Sequence, residues 1–154
     1  MCGRYALPED HPAMAKAFDV PTDVRRDIAW DELMPRFNVA PTDQVPVVLQ
    51  KNGERQMEAM RWGLMHFRTA NMRGRTALDS KGKSTNTPIN ARAETVHSHG
   101  SFKRSFEKRR CILPAGGYYE WMRSGDSKVP HWIYAAGGAW MGFAGLYTWW
   151  KSPE

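Results

Sequence analysis

Residues 45–62 read VPVVLQKNGERQMEAMRW, and this stretch decides the architecture. Val45 to Leu49 is an apolar run rich in β-branched side chains, which pack well on a pleated surface and argue for a strand. Asn52-Gly53 then suits the left-handed backbone of a type I′ turn, so Gln56–Trp62 returns as an antiparallel partner. Outward from this hairpin, CGRYAL at 2–7 reads as a short strand. Further strands are expected at Cys111–Leu113, Tyr118–Met122, His131–Tyr134 and Trp140–Leu146, punctuated by Gly116-Gly117, Ser124-Gly125-Asp126 and Gly137-Gly138. His11–Val20 sets Ala13, Met14, Ala17 and Phe18 at helical spacing, and SFKRSFEKRR sets Phe102 and Phe106 four apart on one apolar edge. The prolines of PRFNVAP mark Pro35–Pro41 as a loop, and Arg68–Pro88 is a long polar, basic loop. Together these expectations describe an α+β fold, one compact domain over residues 1–154 with a mainly antiparallel β core and short flanking helices.

At 154 residues, 42% hydrophobic and 25% charged, the chain is long enough to bury a core and has an ordinary globular composition. No apolar run approaches the ~20 residues of a membrane span, and MCGRYALPEDH lacks the basic-then-apolar order of a secretory leader. A cytoplasmic, bacterial-type location with no membrane partner is expected. Cys2 and Cys111 permit at most one bridge and have no zinc-ligand spacing. His11, His66, His97, His99 and His131 show no HxxxH pattern, so they default to solvent or edge positions and no metal is expected.

The net charge of +6 is unevenly spread. Residues 1–60 carry 7 basic and 10 acidic side chains, residues 61–110 carry 12 and 3, and residues 111–154 carry 3 of each. A concentrated basic segment interleaved with Trp62, Phe67, Phe102 and Phe106 fits a phosphate backbone with bases to stack, the pairing used on single strands. A solvated surface rich in Lys and Arg explains the same composition.

Cys2 carries the most specific chemistry. A small second residue allows removal of the initiator Met, which leaves an N-terminal 1,2-aminothiol whose amine (pKa ~7.7–8.0) and thiol (~8.5) are both reactive near neutrality. The amine condenses with an aldehyde to a Schiff base, the thiolate adds to the imine carbon, and a five-membered thiazolidine closes. Taken alone, a cysteine at this position carries no function. Asn90 offers an amide to the new amine or a sugar oxygen, and Arg92 offers a fork for phosphate, although a surface turn with a helix starting at Glu94 fits the same residues. Glu120 lies between Tyr119 and Trp121 in an aromatic strand, where desolvation would raise its pKa and suit it to proton transfer; a salt bridge to an arginine is the alternative. Arg4 shares a strand face with Cys2, as a phosphate ligand or a structural ion pair.

In this order, MCGRYA, FNVAPT, MRWGL, INARAET, SFK, RRCILPAGGYYEW and VPHWIY resemble the SRAP family, the SOS response-associated peptidases understood as abasic-site processing proteins. The likeness runs from residue 1 to about 146. It implies a barrel-like antiparallel domain, monomeric and needing no metal or cofactor, that crosslinks to abasic sites in single-stranded DNA during the DNA damage response and is nucleoid-associated when bound. A self-processing step would expose the cysteine. By position, Cys2 corresponds to the nucleophile, Asn90 to the asparagine beside it and Glu120 to the proton-handling glutamate. Arg4 and Arg92 correspond to phosphate-contacting arginines, Asn38 and Pro41 to the loop flanking the nucleophile, and Trp62-Gly63 and Trp121 to structural or cleft-lining positions. With the neighbouring residues, the expected DNA-binding set is Arg4, Arg92, Trp62, Phe67, Arg68, Arg73 and Arg75.

The chain also departs from the family pattern. Met65-His66-Phe67-Arg68 stands where a Pro and then a Trp usually follow Trp-Gly-Leu, and His97-Ser98-His99-Gly100 lacks the usual arginine. The sequence stops at Glu154, before the region where the family carries an HxRMP histidine, so the expectation is a family domain without its C-terminal part. Crosslinking and associated (auto)peptidase activity are expected on that condition. Two further readings stand beside it: a thiol (auto)peptidase of the N-terminal-nucleophile type, and a non-catalytic module that binds single-stranded DNA.

Overall fold

The computed structural model describes residues 3–21, 28–65, 69, 71–73, 76–78, 81, 84–85 and 87–150, with 71–73, 76–78 and 84–85 described as backbone only. Asn52 and Gly53 adopt φ of 53° and 86°, the left-handed pair that closes a tight hairpin. Strands β3 (Gln44–Lys51) and β4 (Glu54–Arg61) accordingly pair antiparallel in unbroken register, from Gln44↔Arg61 to Lys51↔Glu54. The other strands are β1 (Arg4–Leu7), β2 (Arg36–Val39), β5 (Asn71–Arg73), β6 (Thr76–Leu78), β7 (Ser84–Thr85), β8 (Arg110–Ala115), β9 (Gly117–Ser124), β10 (Ser127–Ile133) and β11 (Met141–Leu146). Helices α1 (His11–Ala17), α2 (Trp30–Leu33) and α3 (Lys103–Lys108) are short. The fold is α+β with two four-stranded sheets, ordered β10-β9-β1-β2 and β11-β8-β3-β4, and a three-stranded sheet β5-β6-β7.

The chain forms two compact units, one of residues 1–62 and 111–145, the other of residues 63–110 and 146–154. In the first unit, Tyr5 of β1 packs edge-on against Trp62 at 5.5 Å and against Phe143 of β11 at 6.0 Å, and Tyr118 of β9 meets Phe143 at 5.7 Å. Such pairs add about 0.5–1.5 kcal/mol each beyond the area they bury. Val39, Val45, Val47, Leu49 and Met57 complete this core. In the second unit, Val96 and Phe102 are buried, the Tyr147 N–H donates to the Arg109 carbonyl at 2.9 Å, and the Trp150 indole N–H donates to the Thr69 carbonyl at 2.8 Å.

Three sequence expectations are corrected. Pro35–Pro41 is not a plain loop, because β2 occupies Arg36–Val39 between the prolines and pairs with β1. As the edge strand of its sheet, β2 tolerates prolines at its ends. Arg68–Pro88 contains β5, β6 and β7, strands of two or three residues whose backbone pairing of near neighbours leaves too few positions for a hydrophobic alternation to register.

The third correction is His11, which is 7% exposed rather than at a solvent or edge position. Asp10 caps α1 by accepting from the Ala13 N–H at 3.0 Å, and the imidazole of His11 stacks on the indole of Trp30 with ring centres 4.6 Å apart and planes 8° from parallel. Burial lowers the His11 pKa below the ordinary 6.5, against the opposing pull of Asp10 and Asp31. The neutral ring is therefore the folded form, and the unfolded chain takes up a proton first as pH falls. Stability from this site is fully present above pH 6.5 and lost as pH falls through the lower folded pKa. His11→Phe keeps the stack and cannot protonate, so it should flatten the fall in melting temperature between about pH 7 and about pH 5. An unchanged slope would assign the acid sensitivity to another group.

Candidate functional site

The register of β1 against β9 places the site residues of the first unit. Arg4 lies opposite Tyr119, Tyr5 opposite Tyr118 and Ala6 opposite Gly117. Because side chains alternate along a strand, Tyr5, Tyr118 and Glu120 share one face, which begins in the core, and Arg4 and Tyr119 share the other. Arg4 is half-buried, and its guanidinium Nη1 donates to Asn38 Oδ1 on β2 at 2.7 Å. The Tyr119 hydroxyl donates across β1 to the Phe37 carbonyl at 3.3 Å. The turn that follows β2 is held by Asp43, whose carboxylate accepts from the Ala40 N–H at 2.9 Å and pairs with the Arg36 guanidinium, while the Trp62 N–H donates to the Asp43 carbonyl at 2.8 Å. Asn38 and Pro41, the expected flanking motif, are thereby fixed between β1 and the end of β4.

Glu120 is half-buried and follows Tyr118 along the face that leads out of the core. Across β10 it stands directly opposite His131, which is exposed. Sequence reasoning left His131 without a role, since no motif marks it and only the β9–β10 register brings it beside the carboxylate. Trp62, expected on the DNA-binding surface, is 9% exposed and packs with Tyr5 inside the first unit.

The second unit holds Asn90 and Arg92. Asn90 is half-buried and Arg92 exposed; the Arg92 carbonyl accepts from the N–H groups of Thr95 and Val96 at 3.2 and 2.9 Å, opening a run of turns whose anchor is buried Val96. Upstream, the Leu64 N–H donates to the Pro88 carbonyl at 2.9 Å. Arg73 is placed by its backbone in β5. Cys2, Phe67, Arg68 and Arg75 lie outside the described residues.

Cys111, the other of the two cysteines, is buried on β8, and a side chain at Gly145 would come within 2.9 Å of its sulfur. Burial pushes its thiol up to about 12, so at neutral pH it stays protonated and a poor nucleophile. Among the described residues no group of three or more His, Cys, Asp or Glu is arranged to hold a metal ion, and no helix is long and apolar enough to cross a membrane.

A family model described as SOS response associated peptidase (SRAP) matches residues 1–154. The chain is 31% identical over 155 residues to the abasic site processing protein YoqW of Bacillus subtilis, an alignment covering 100% of this chain and 63% of that protein. It is 32% identical over 143 residues to the abasic site processing protein YedK of Escherichia coli, covering 90% of this chain and 55% of that protein. A crystal structure of a protein from Bacteroides thetaiotaomicron superposes with a TM-score of 0.78 at 26% identity, over 98% of this chain and 62% of that one. The chain thus spans less than two thirds of the length of these relatives.

The shielding of Cys111 is directly measurable. With Met1 removed, the native chain should consume one equivalent of a maleimide rapidly near pH 8, and Cys2→Ser should abolish that fast phase, while Cys111 reacts only after denaturation. Fast consumption of two equivalents would show that burial does not shield Cys111.

Proposed function

The chain belongs to the SOS response associated peptidase family, and on that premise we propose that it is an abasic-site sensor that joins itself covalently to single-stranded DNA in the DNA damage response. Several relatives carry the name abasic site processing protein, which supports the substrate class. The observation that carries the chemistry is the burial of Cys111. Cys111 is held as a buried thiol, which makes it a poor nucleophile and supports assigning the reaction with an aldehyde to Cys2.

In this reading Met1 is removed first, and the peptidase activity in the family description corresponds to that self-processing. The freed α-amine of Cys2 attacks the C1′ aldehyde of the ring-opened abasic sugar, and loss of one water gives the imine. The Cys2 thiolate then adds to the imine carbon while the nitrogen takes a proton, closing the thiazolidine. Glu120 relays protons during carbinolamine dehydration and ring closure; His131 stands opposite it in the register of β10. Asn90 orients the amine or the sugar, and Arg4 and Arg92 hold phosphates. The basic residues of 61–110, including Phe67, Arg68, Arg73 and Arg75, extend the footprint. In this reading the chain is a single family domain over 1–154, monomeric and free of metal, in the cytoplasm on the nucleoid.

Incubating the chain with abasic single-stranded DNA should yield an adduct that survives denaturation. Cys2→Ser should leave at most a labile imine, and a stable adduct at wild-type yield from that variant would refute the thiazolidine. Glu120→Gln keeps the shape but cannot accept a proton, so adduct formation should slow by roughly a hundredfold, the scale of lost acid-base catalysis, with noncovalent affinity preserved. An unchanged rate would make Glu120 a structural carboxylate. A large loss of affinity at normal rate would make it a groove residue.

A further inference from the structure

Residues 111–154 are electrically neutral in sum, yet the β9–β10 hairpin sorts its charges by face. The ladder runs Ser127↔Ser124, Lys128↔Arg123, Val129↔Met122, Pro130↔Trp121, His131↔Glu120, Trp132↔Tyr119 and Ile133↔Tyr118. One face therefore carries Tyr118, Glu120 and His131, and the other carries Tyr119, Trp121, Arg123, Lys128 and Trp132. That second face continues onto Arg4 through its register with Tyr119. No carboxylate stands on it among the described strand residues.

Two features of this face run against stability. Arg123 and Lys128 are like charges placed directly opposite each other, an arrangement that destabilises a sheet, and neither forms an ion pair among the described residues. Large rings are also left in water: Trp121 is 43% exposed, Trp132 39% and Tyr134 58%. Trp132 and Tyr134 are packed nonetheless. Trp132 lies over Gly117, where an added Cβ would come within 2.4 Å of the indole, and its ring is 4.8 Å from that of Tyr119 and 6.3 Å from that of Tyr134, 20° from parallel with the latter.

We propose that this face is a binding strip for a single nucleic-acid strand, with Trp121, Trp132 and Tyr134 stacking bases and Arg123 and Lys128 holding phosphates near the hairpin tip. Cations interleaved with exposed ring faces suit single strands, because every base offers a π-face and every linkage a charge. From Tyr119 to Arg123 the strand advances about 13 Å, enough for more than one nucleotide. An apolar protein partner would bury Arg123 and Lys128 without counter-charges, and a second copy of the chain would set this cationic face against its own like, so both are disfavoured. The strip lies outside the segment 61–110 that composition marks as basic, and it would hold the strand flanking the lesion rather than the aldehyde.

This inference rests on the reading of the protein as acting on single-stranded DNA, and the test separates the two. The chain is titrated at several salt concentrations with an intact oligothymidine of about 20 nucleotides, and in parallel its adduct with an abasic version is measured. Arg123→Gln combined with Lys128→Gln should lower the slope of log affinity against log salt by about 1.4, at ~0.7 per phosphate contact on a single strand. Tyr134→Ala should weaken binding of the intact strand by about fivefold to a hundredfold. Trp132→Ala should do the same while Trp132→Phe, which retains a ring over Gly117, largely restores binding; thermal melts report whether either variant disturbs the fold. Wild-type affinity and salt slope in the charge and Tyr134 variants overturn the strip, whether or not the unsubstituted chain forms an adduct. Absence of an adduct, with the strip variants still weakening intact-strand binding, overturns the crosslinking and leaves the strip. Concentration-dependent self-association that Tyr134→Ala abolishes, at unchanged DNA affinity, assigns the face to a second copy and also overturns the proposal.

Discussion

A one-residue slip between β1 and β9 would exchange the two faces of the first sheet, moving Tyr5 out of the core and Arg4 into it. The rest of the structure depends on that register. Two glycines enforce it by close approach: a Cβ at Gly116 would lie 2.4 Å from the Pro8 ring, and one at Gly117 would strike Trp132 and lie 2.7 Å from the Ile133 carbonyl. The Gly116 N–H also donates to the Ala6 carbonyl at 2.9 Å, pinning the start of β9 to β1. With Ala6 opposite Gly117, Tyr5 must meet Tyr118 and Phe143, and the core of the unit follows.

The same register separates incompatible charges. A carboxylate that handles protons repels phosphate, so a protein using both must keep them apart or offset one with the other. Here Glu120 stands on one face of β9 and Arg123 on the other, with Arg4 sharing the Arg123 face from β1. Opposing faces of a sheet direct side chains away from one another, and at physiological salt exposed charges beyond about 8 Å are largely screened. Pleating alone lets a neutral hairpin present cations on one face and the Glu120–His131 pair on the other.

How much of this could be read from the sequence depends on where each signal resides. The 45–62 hairpin was legible because strand pattern and turn chemistry agree within one short window. Strand β2 was not, since two prolines signal a loop and its pairing with β1 is a long-range fact. The burial of His11 was equally hidden: only the turn of α2, nearly 20 residues on, lays Trp30 against it. Arg4 and Glu120 were identified as residues, but the opposition of Glu120 and His131 required the register of β9 and β10. The strip is invisible in composition for a different reason. Net charge averages over both faces of a strand, so three basic and three acidic side chains in residues 111–154 cancel in composition while remaining apart in space.

Cys2 marks the opposite extreme, a residue whose proposed chemistry can be argued with no fold at all. An aminothiol needs its amine and thiol on one residue, so position in the chain decides its reactivity toward an aldehyde, and the unfolded peptide would possess it too. What a fold adds is selection. Burial of Cys111 removes a competing thiol, the β1–β9 ladder sets Arg4 and Glu120 on opposite faces, and proton transfer by a positioned group, the role proposed for Glu120, would contribute the typical 10²–10⁴-fold that free cysteine lacks. The intrinsic chemistry sets which bond can form, and the architecture sets where and how fast it forms.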